Sequence, residues 1–139
     1  MSISDNTPII VGAGQCVERE AGKTSPMGIA ARAAQAAIDA SGGSSVAEAI
    51  DTIAVTKIFS DSAALWATDL GRSNNPPQSI AKAIGANPDN RIYSVTGGNV
   101  PQSFVIEFFA DLVEGRRSMV LVAGSEAIRN QRNAKRNDL

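Results

Sequence analysis

The stretch 91–125, RIYSVTGGNVPQSFVIEFFADLVEGRRSMVLVAGS, decides the fold of this chain. Arg91–Thr96 is rich in β-branched and aromatic residues and predicts a strand. The small residues Thr96-Gly97-Gly98-Asn99 stop it, and an apolar helix follows over about Val100–Glu114, with Gly98 or Asn99 as its cap and Gly115 as its stop. Ser118–Ala123 (SMVLVA) is then a wholly apolar strand, of the kind found in the middle of a sheet covered on both faces. Backbone N–H groups at a helix start lack intrahelical partners, so they bind an anion or hold a developing oxyanion. Gly97, Gly98 and Asn99 are accordingly the candidate substrate-binding residues. A tight structural turn with Asn99 as a simple cap is the competing use. No nucleophile sits on the turn except the hydroxyl of Thr96, and nothing adjacent in sequence would activate it.

On the helix itself, Ser103, Glu107, Asp111 and Glu114 share one face by their spacing. Val100, Phe104, Val105, Phe108, Phe109, Leu112 and Val113 cover the rest. That arc is too wide for an ordinary surface helix and predicts burial on more than one side.

Working outward toward the N-terminus, Thr7–Ala13 (TPIIVGA) reads as a buried strand ending in glycines, followed by a polar loop from Gln15 to Thr24. Ser25-Pro26 gives an N-cap with proline at the first helical position, Met27–Ala40 forms an alanine-rich helix, and Gly42-Gly43 stops it. Ala30, Ala33, Ala34 and Ala37 would let that helix approach a sheet closely. Ser45–Ile50 reads as one short helical turn, and Asp51–Phe59 alternates as a strand. Ala63–Leu70, with the lone tryptophan Trp66, is either a helix or a structured loop. Asn75-Pro76 restarts a helix that runs through Ile84 and ends at Gly85. The order β-α-β-α-β-α-β predicts an α/β fold with a mainly parallel (mixed) sheet and helices on both faces. Residues 1–128 form the expected domain, and 129–139 read as the start of a loop or a disordered tail.

Composition removes several classes of function. The 139 residues carry a net charge of −1, which gives no electrostatic reason for nucleic acid as a partner. No apolar run approaches the roughly 20 residues that span a bilayer. The N-terminus lacks a secretory pattern, and a single cysteine, Cys16, suits a reducing cytoplasm. Histidine is absent, which removes the commonest general base and, with one cysteine, the familiar zinc frameworks; no metal is expected. Gly12-Ala13-Gly14-Gln15-Cys16-Val17 superficially matches a dinucleotide-binding turn, but Val17 stands at the third glycine and the helix is delayed past Thr24. Cys16 follows a strand rather than opening a helix, so a loop or core thiol is its default. Glu126 lies just past the last strand, where it positions a ligand or makes a structural hydrogen bond. Arg116-Arg117 either meets a ligand phosphate or forms a solvated turn.

TPIIVGAGQ (Thr7–Gln15), SPMGIAARAAQAAIDASG (Ser25–Gly42), GGNVPQ (Gly97–Gln102) and VLVAGSEAI (Val120–Ile128) occur in an order that resembles the N-terminal half of the thiolase superfamily, the acetyl-CoA acetyltransferases. The closest likeness is to the bacterial thiolase-like, sterol-carrier-protein-type branch. The resemblance implies a duplicated fold several times longer than this chain, in which the helix after the glycine turn lies between two sheets. It also implies acyl-CoA as substrate, with no separate cofactor, and thioester exchange with Claisen condensation as chemistry. The family's nucleophilic cysteine falls where this chain has Gly97 or Gly98, and its catalytic histidine belongs to the other half. No catalytic residue is therefore assigned. The expectation is an acyltransferase portion inactive alone, pairing as a homo-oligomer or with a second thiolase half. The alternative is a non-catalytic scaffold or binding subunit.

Overall fold

A computed structural model describes residues 4–5, 7–66 and 70–137. Three strands form one parallel sheet: β1 (Thr52–Val55), β2 (Asn90–Tyr93) and β3 (Val120–Ala123), in the order β2-β1-β3. Thr52 pairs with Asn90 on one side and Val120 on the other, so the three strands start in register.

β1 is the central strand, and all four of its residues are buried. Its alternation sorts side chains to two cores. On one face Ile53 and Val55 pack with α1 (Pro26–Ser41), α2 (Ser44–Ala49) and α3 (Pro76–Ile84), through Ala30, Ala34, Ile38, Ile80 and Ile84. On the other, Ala54 meets Val100, Phe104 and Phe108 of α4 (Val100–Val113), and the rings of Phe104 and Phe108 stack 5.5 Å apart. Burying one such large apolar side chain stabilises the fold by about 1.5–3 kcal/mol.

Local signals set the helix ends. Ser25 accepts a hydrogen bond from Gly28 N at 3.0 Å, and Asn75 accepts one from Gln78 N at 3.1 Å, each just before proline at the helix start. Gly42 and Gly85 end α1 and α3 in the left-handed conformation, with φ of 113° and 72°. Glycine takes that backbone at no steric cost.

Four expectations need correction. Thr7–Ala13 is not a strand: Ile9 and Ile10 are 72% and 77% exposed. Instead, Gly12 and Gly14 lie against the α1 backbone, where an added Cβ would stand 2.2 Å from the Ala37 carbonyl oxygen and 2.1 Å from that of Ala33. Those contacts run the segment antiparallel to α1, and a groove of about 710 Å³ separates it from β3 and α4. β3 is consequently an edge strand of the described sheet, not a middle one. α4 is buried on one side only; Val105, Ile106, Phe109 and Val113 on its outer side are exposed. Finally, the basic tail is helical: α5 (Ile128–Arg136) buries Asn130, Gln131 and Ala134. Asn130 accepts from Gly22 N at 2.8 Å and donates to Glu18 and to the Thr24 carbonyl at 2.9 Å each, so it fastens the loop before α1.

Of the uncertain stretch Ala63–Leu70, Ala64–Trp66 is a single 3-10 turn. Residues 67–69 and the side chain of Trp66 lie outside the described residues.

Candidate functional site

The connections leaving β1 and β2 diverge. α3, which follows β1, packs on one face of the sheet, and α4, which follows β2, packs on the other. Adjacent parallel strands whose carboxyl-end loops part to opposite faces leave a crevice, the usual ligand position in open α/β sheets. Here the crevice holds the glycine corner on one side and a cleft of about 890 Å³ on the other, lined in part by Lys57, Ser60, Asp61, Arg72 and Tyr93.

The corner is built by Ser94. Its amide donates to the Val55 carbonyl at 3.0 Å, extending the β1–β2 ladder by one bond. Its hydroxyl accepts from Lys57 N at 3.1 Å and donates to the Val95 carbonyl at 2.8 Å. The chain then turns at 96–99 into α4. Val100 N donates to the Gly97 carbonyl at 3.1 Å and Ser103 N to that of Asn99 at 3.0 Å, while Pro101 has no N–H to offer. The amides of Gly98, Asn99 and Gln102 have no partner among the described residues. A simple side-chain cap is the competing use expected of Asn99. Asn99 occupies the cap position, yet its side chain makes no capping bond. Its Oδ1 lies near Gly97 instead, 2.8 Å from where a Cβ there would stand, whereas Gly98 faces open space. Neither glycine has positive φ, so it is the lack of a side chain, not an unusual backbone, that shapes the corner.

The cleft wall is held by hydrogen bonds from Tyr93 and Glu126. Tyr93 Oη accepts from Ile58 N at 3.1 Å and donates to Asp61 Oδ2 at 2.7 Å. Burial, reinforced by the bond to Asp61, raises the phenol well above its ordinary value. Glu126 Oε1 accepts from Phe59 N at 2.7 Å. Burial and then the nearby charge of Asp61 raise its carboxyl above the ordinary glutamate range. Glu126 is thus a structural acceptor that fixes the loop after β1.

The remaining candidates lie elsewhere. Arg116 and Arg117 bind Asp111 at 2.6 and 2.8 Å, and Arg117 reaches Thr52, the first residue of β1, so both belong to the amino end of the sheet. Cys16 is a half-buried free thiol in the loop before α1. No group of three or more His, Cys, Asp or Glu arranged to hold a metal ion occurs among the described residues. Lys57 and Arg72 were not among the expected site residues, because nothing local distinguishes a cation beside a strand or helix from one in any surface loop.

No protein-family model matches the sequence, and no curated protein does. Solved structures do. A monomeric SCP2-thiolase-like protein type 1 from Mycobacterium smegmatis matches with a TM-score of 0.69 and 36% identity, over 86% of this chain and 23% of that one. An acetyl-CoA acetyltransferase from Syntrophomonas wolfei matches with a TM-score of 0.62 and 18% identity, over 82% of this chain and 27% of that one, which bears on fold alone. The chain thus spans about a quarter of the length of each. With the parallel sheet, the helices on both faces and these two likenesses together, the chain has a thiolase-superfamily fold.

Proposed function

We propose that this chain is the acyl-CoA-binding N-terminal portion of a thiolase-like acyltransferase and forms no covalent acyl-enzyme by itself. The observation that carries the reading is the corner 97–99, opening a helix at the crevice of a thiolase-type sheet with its amides unpartnered. Amides of Gly98 and Asn99 hold the thioester carbonyl oxygen, which gains negative charge when an enolate forms. Gly98 keeps the approach clear, and Gly97 leaves room for the carboxamide of Asn99 beside it. The nucleophile and the base come from outside these residues, since the corner has no thiol and the chain no histidine. A role in lipid metabolism and a cytoplasmic setting go with this reading; no helix among the described residues is long and apolar enough to cross a membrane.

Calorimetric titration with acetyl-CoA should give saturable heat, and intact mass spectrometry after incubation should show no added acetyl group. Absence of heat would overturn substrate binding, and a stable adduct on Cys16 would move the chemistry away from the corner.

The outer side of α4 supports a second element of the proposal. Val105, Ile106, Phe109 and Val113 form an exposed apolar strip on a helix whose other side is buried. Such patches mark interaction surfaces. The strip pairs with a second thiolase-type half, and in its absence the chain self-associates. Light scattering at high concentration checks this: Phe109→Glu should shift the mass toward monomer, and a monomeric wild type would refute it.

A further inference from the structure

We propose that the cleft beside the corner is a phosphate-binding subsite formed by Lys57, Arg72 and the hydroxyl of Ser60. This goes beyond the acyl-CoA reading and does not depend on it. Three observations converge on it. Lys57 and Arg72 line the same cleft, from the loop after β1 and the loop before α3, and neither side chain has an acidic or hydrogen-bonding partner among the described residues. Among the other arginines, Arg32 meets Glu18, and Arg116 and Arg117 meet Asp111. Second, Ser60 is only 7% exposed, and its Oγ accepts from Gln131 Nε2 at 3.1 Å. Its proton has no acceptor among the described residues, so a buried hydroxyl on the cleft wall has a hydrogen bond left to give. Third, the cleft stands at the crevice between the diverging loops of β1 and β2, where parallel sheets receive ligands.

The wall also carries one acid. Asp61 lines the cleft, and one of its oxygens already accepts from Tyr93. Two cations against one partly engaged carboxylate leave the cleft net positive. A guanidinium fork, an ammonium and a hydroxyl together match the several acceptor oxygens of a phosphate better than the two of a carboxylate. Asp61 sets a limit on strength, since it repels any anion that binds next to it.

The test is titration of the 139-residue chain with inorganic phosphate and, separately, with adenosine 3′,5′-bisphosphate, followed by calorimetry at low salt. Saturable binding of inorganic phosphate is expected, weakened by added sodium chloride. Tighter binding of the bisphosphate would identify a phosphate ester as the ligand, and equal binding a free phosphate; either supports the site. Lys57→Gln and Arg72→Gln should each weaken binding by roughly tenfold, the scale of one lost charge-assisted bond. Both side chains reach solvent, so the fold should survive, as circular dichroism will verify. Asp61→Asn should tighten binding. Arg132→Gln, a cation on α5 that does not line the cleft, should change nothing. Absence of saturable binding, or equal weakening by Arg132→Gln and Lys57→Gln, would overturn the proposal.

Discussion

The two ends of the sheet treat charge in opposite ways. At the amino end, Asp111 is 8% exposed and takes Arg116 on one oxygen and Arg117 on the other. Arg117 lies over the Phe108 ring and donates to Thr52, Thr52 donates to Asp51, and Asp51 receives Ser118 N at 2.5 Å. One chain of contacts thereby joins the end of α4 to the starts of β1 and β3. At the carboxyl end, Lys57 and Arg72 remain without counter-ions and the corner amides without acceptors. Removing one partner of a paired, buried group is costly, whereas hydrated groups without protein partners can exchange water for a ligand. The amino end is structural, and the carboxyl end is where the proposed site lies.

Breaking the closed end should give the largest effect. Asp111→Ala leaves two arginines without their acceptor, one of them mostly buried, and should lower the melting temperature by several degrees, the most of the substitutions considered. The pH dependence follows from the same residue. The hydrogen bond from Arg116, then that from Arg117, hold its carboxyl below the ordinary value of 3.8. A depressed carboxylate contributes stability that is complete above the unfolded value and disappears as pH falls through the folded one. Urea midpoints should thus fall in acid for the wild type and fall less for Asp111→Asn.

Gly14→Ala tests the second fastening, the N-terminal segment on α1. Its new methyl would collide with backbone rather than with a flexible side chain, and the overlap should cost roughly 1–3 kcal/mol in urea unfolding. Loss of the α1 cap in Ser25→Ala should cost about 1 kcal/mol.

The smallest effects belong to the open end. Glu126→Gln retains an acceptor for Phe59 N and removes a charge that burial and Asp61 disfavour. A raised carboxyl diminishes stability as pH rises from the unfolded value through the folded one. The variant should be slightly more stable than wild type at neutral pH and equal to it in acid. Gly98→Ala meets open space and should change stability by less than about 0.5 kcal/mol, while weakening acetyl-CoA binding if the corner faces the ligand. A large stability loss there would place the corner among the structural parts and erase the contrast between the two ends.

Of this contrast only the corner was readable before the fold was known. The strand-turn-helix-strand unit over 91–125 gave the parallel sheet, and Gly97-Gly98-Asn99 stand at the corner where they were expected. The cleft cations were not readable, because Lys57 and Arg72 are 15 positions apart and meet only once the loops after β1 and before α3 are folded. Asp111 read as part of a polar face and is buried, since its partners arrive from the turn that follows its own helix.

Sequence alone determined the limits of α1 and α3 and the class of the sheet. Ser25-Pro26, Asn75-Pro76 and the glycines at 42 and 85 act on their own backbone, so their meaning survives without neighbours. Tertiary structure decided where the apolar segments went. TPIIVGA has the composition of a strand, but it docks through Gly12 and Gly14 on α1 and stays unpaired, while the polar tail becomes α5 because Asn130 finds three partners in the loop before α1. A strand or a polar helix is stable only through bonds to distant residues, and no local pattern states which distant residues will be there.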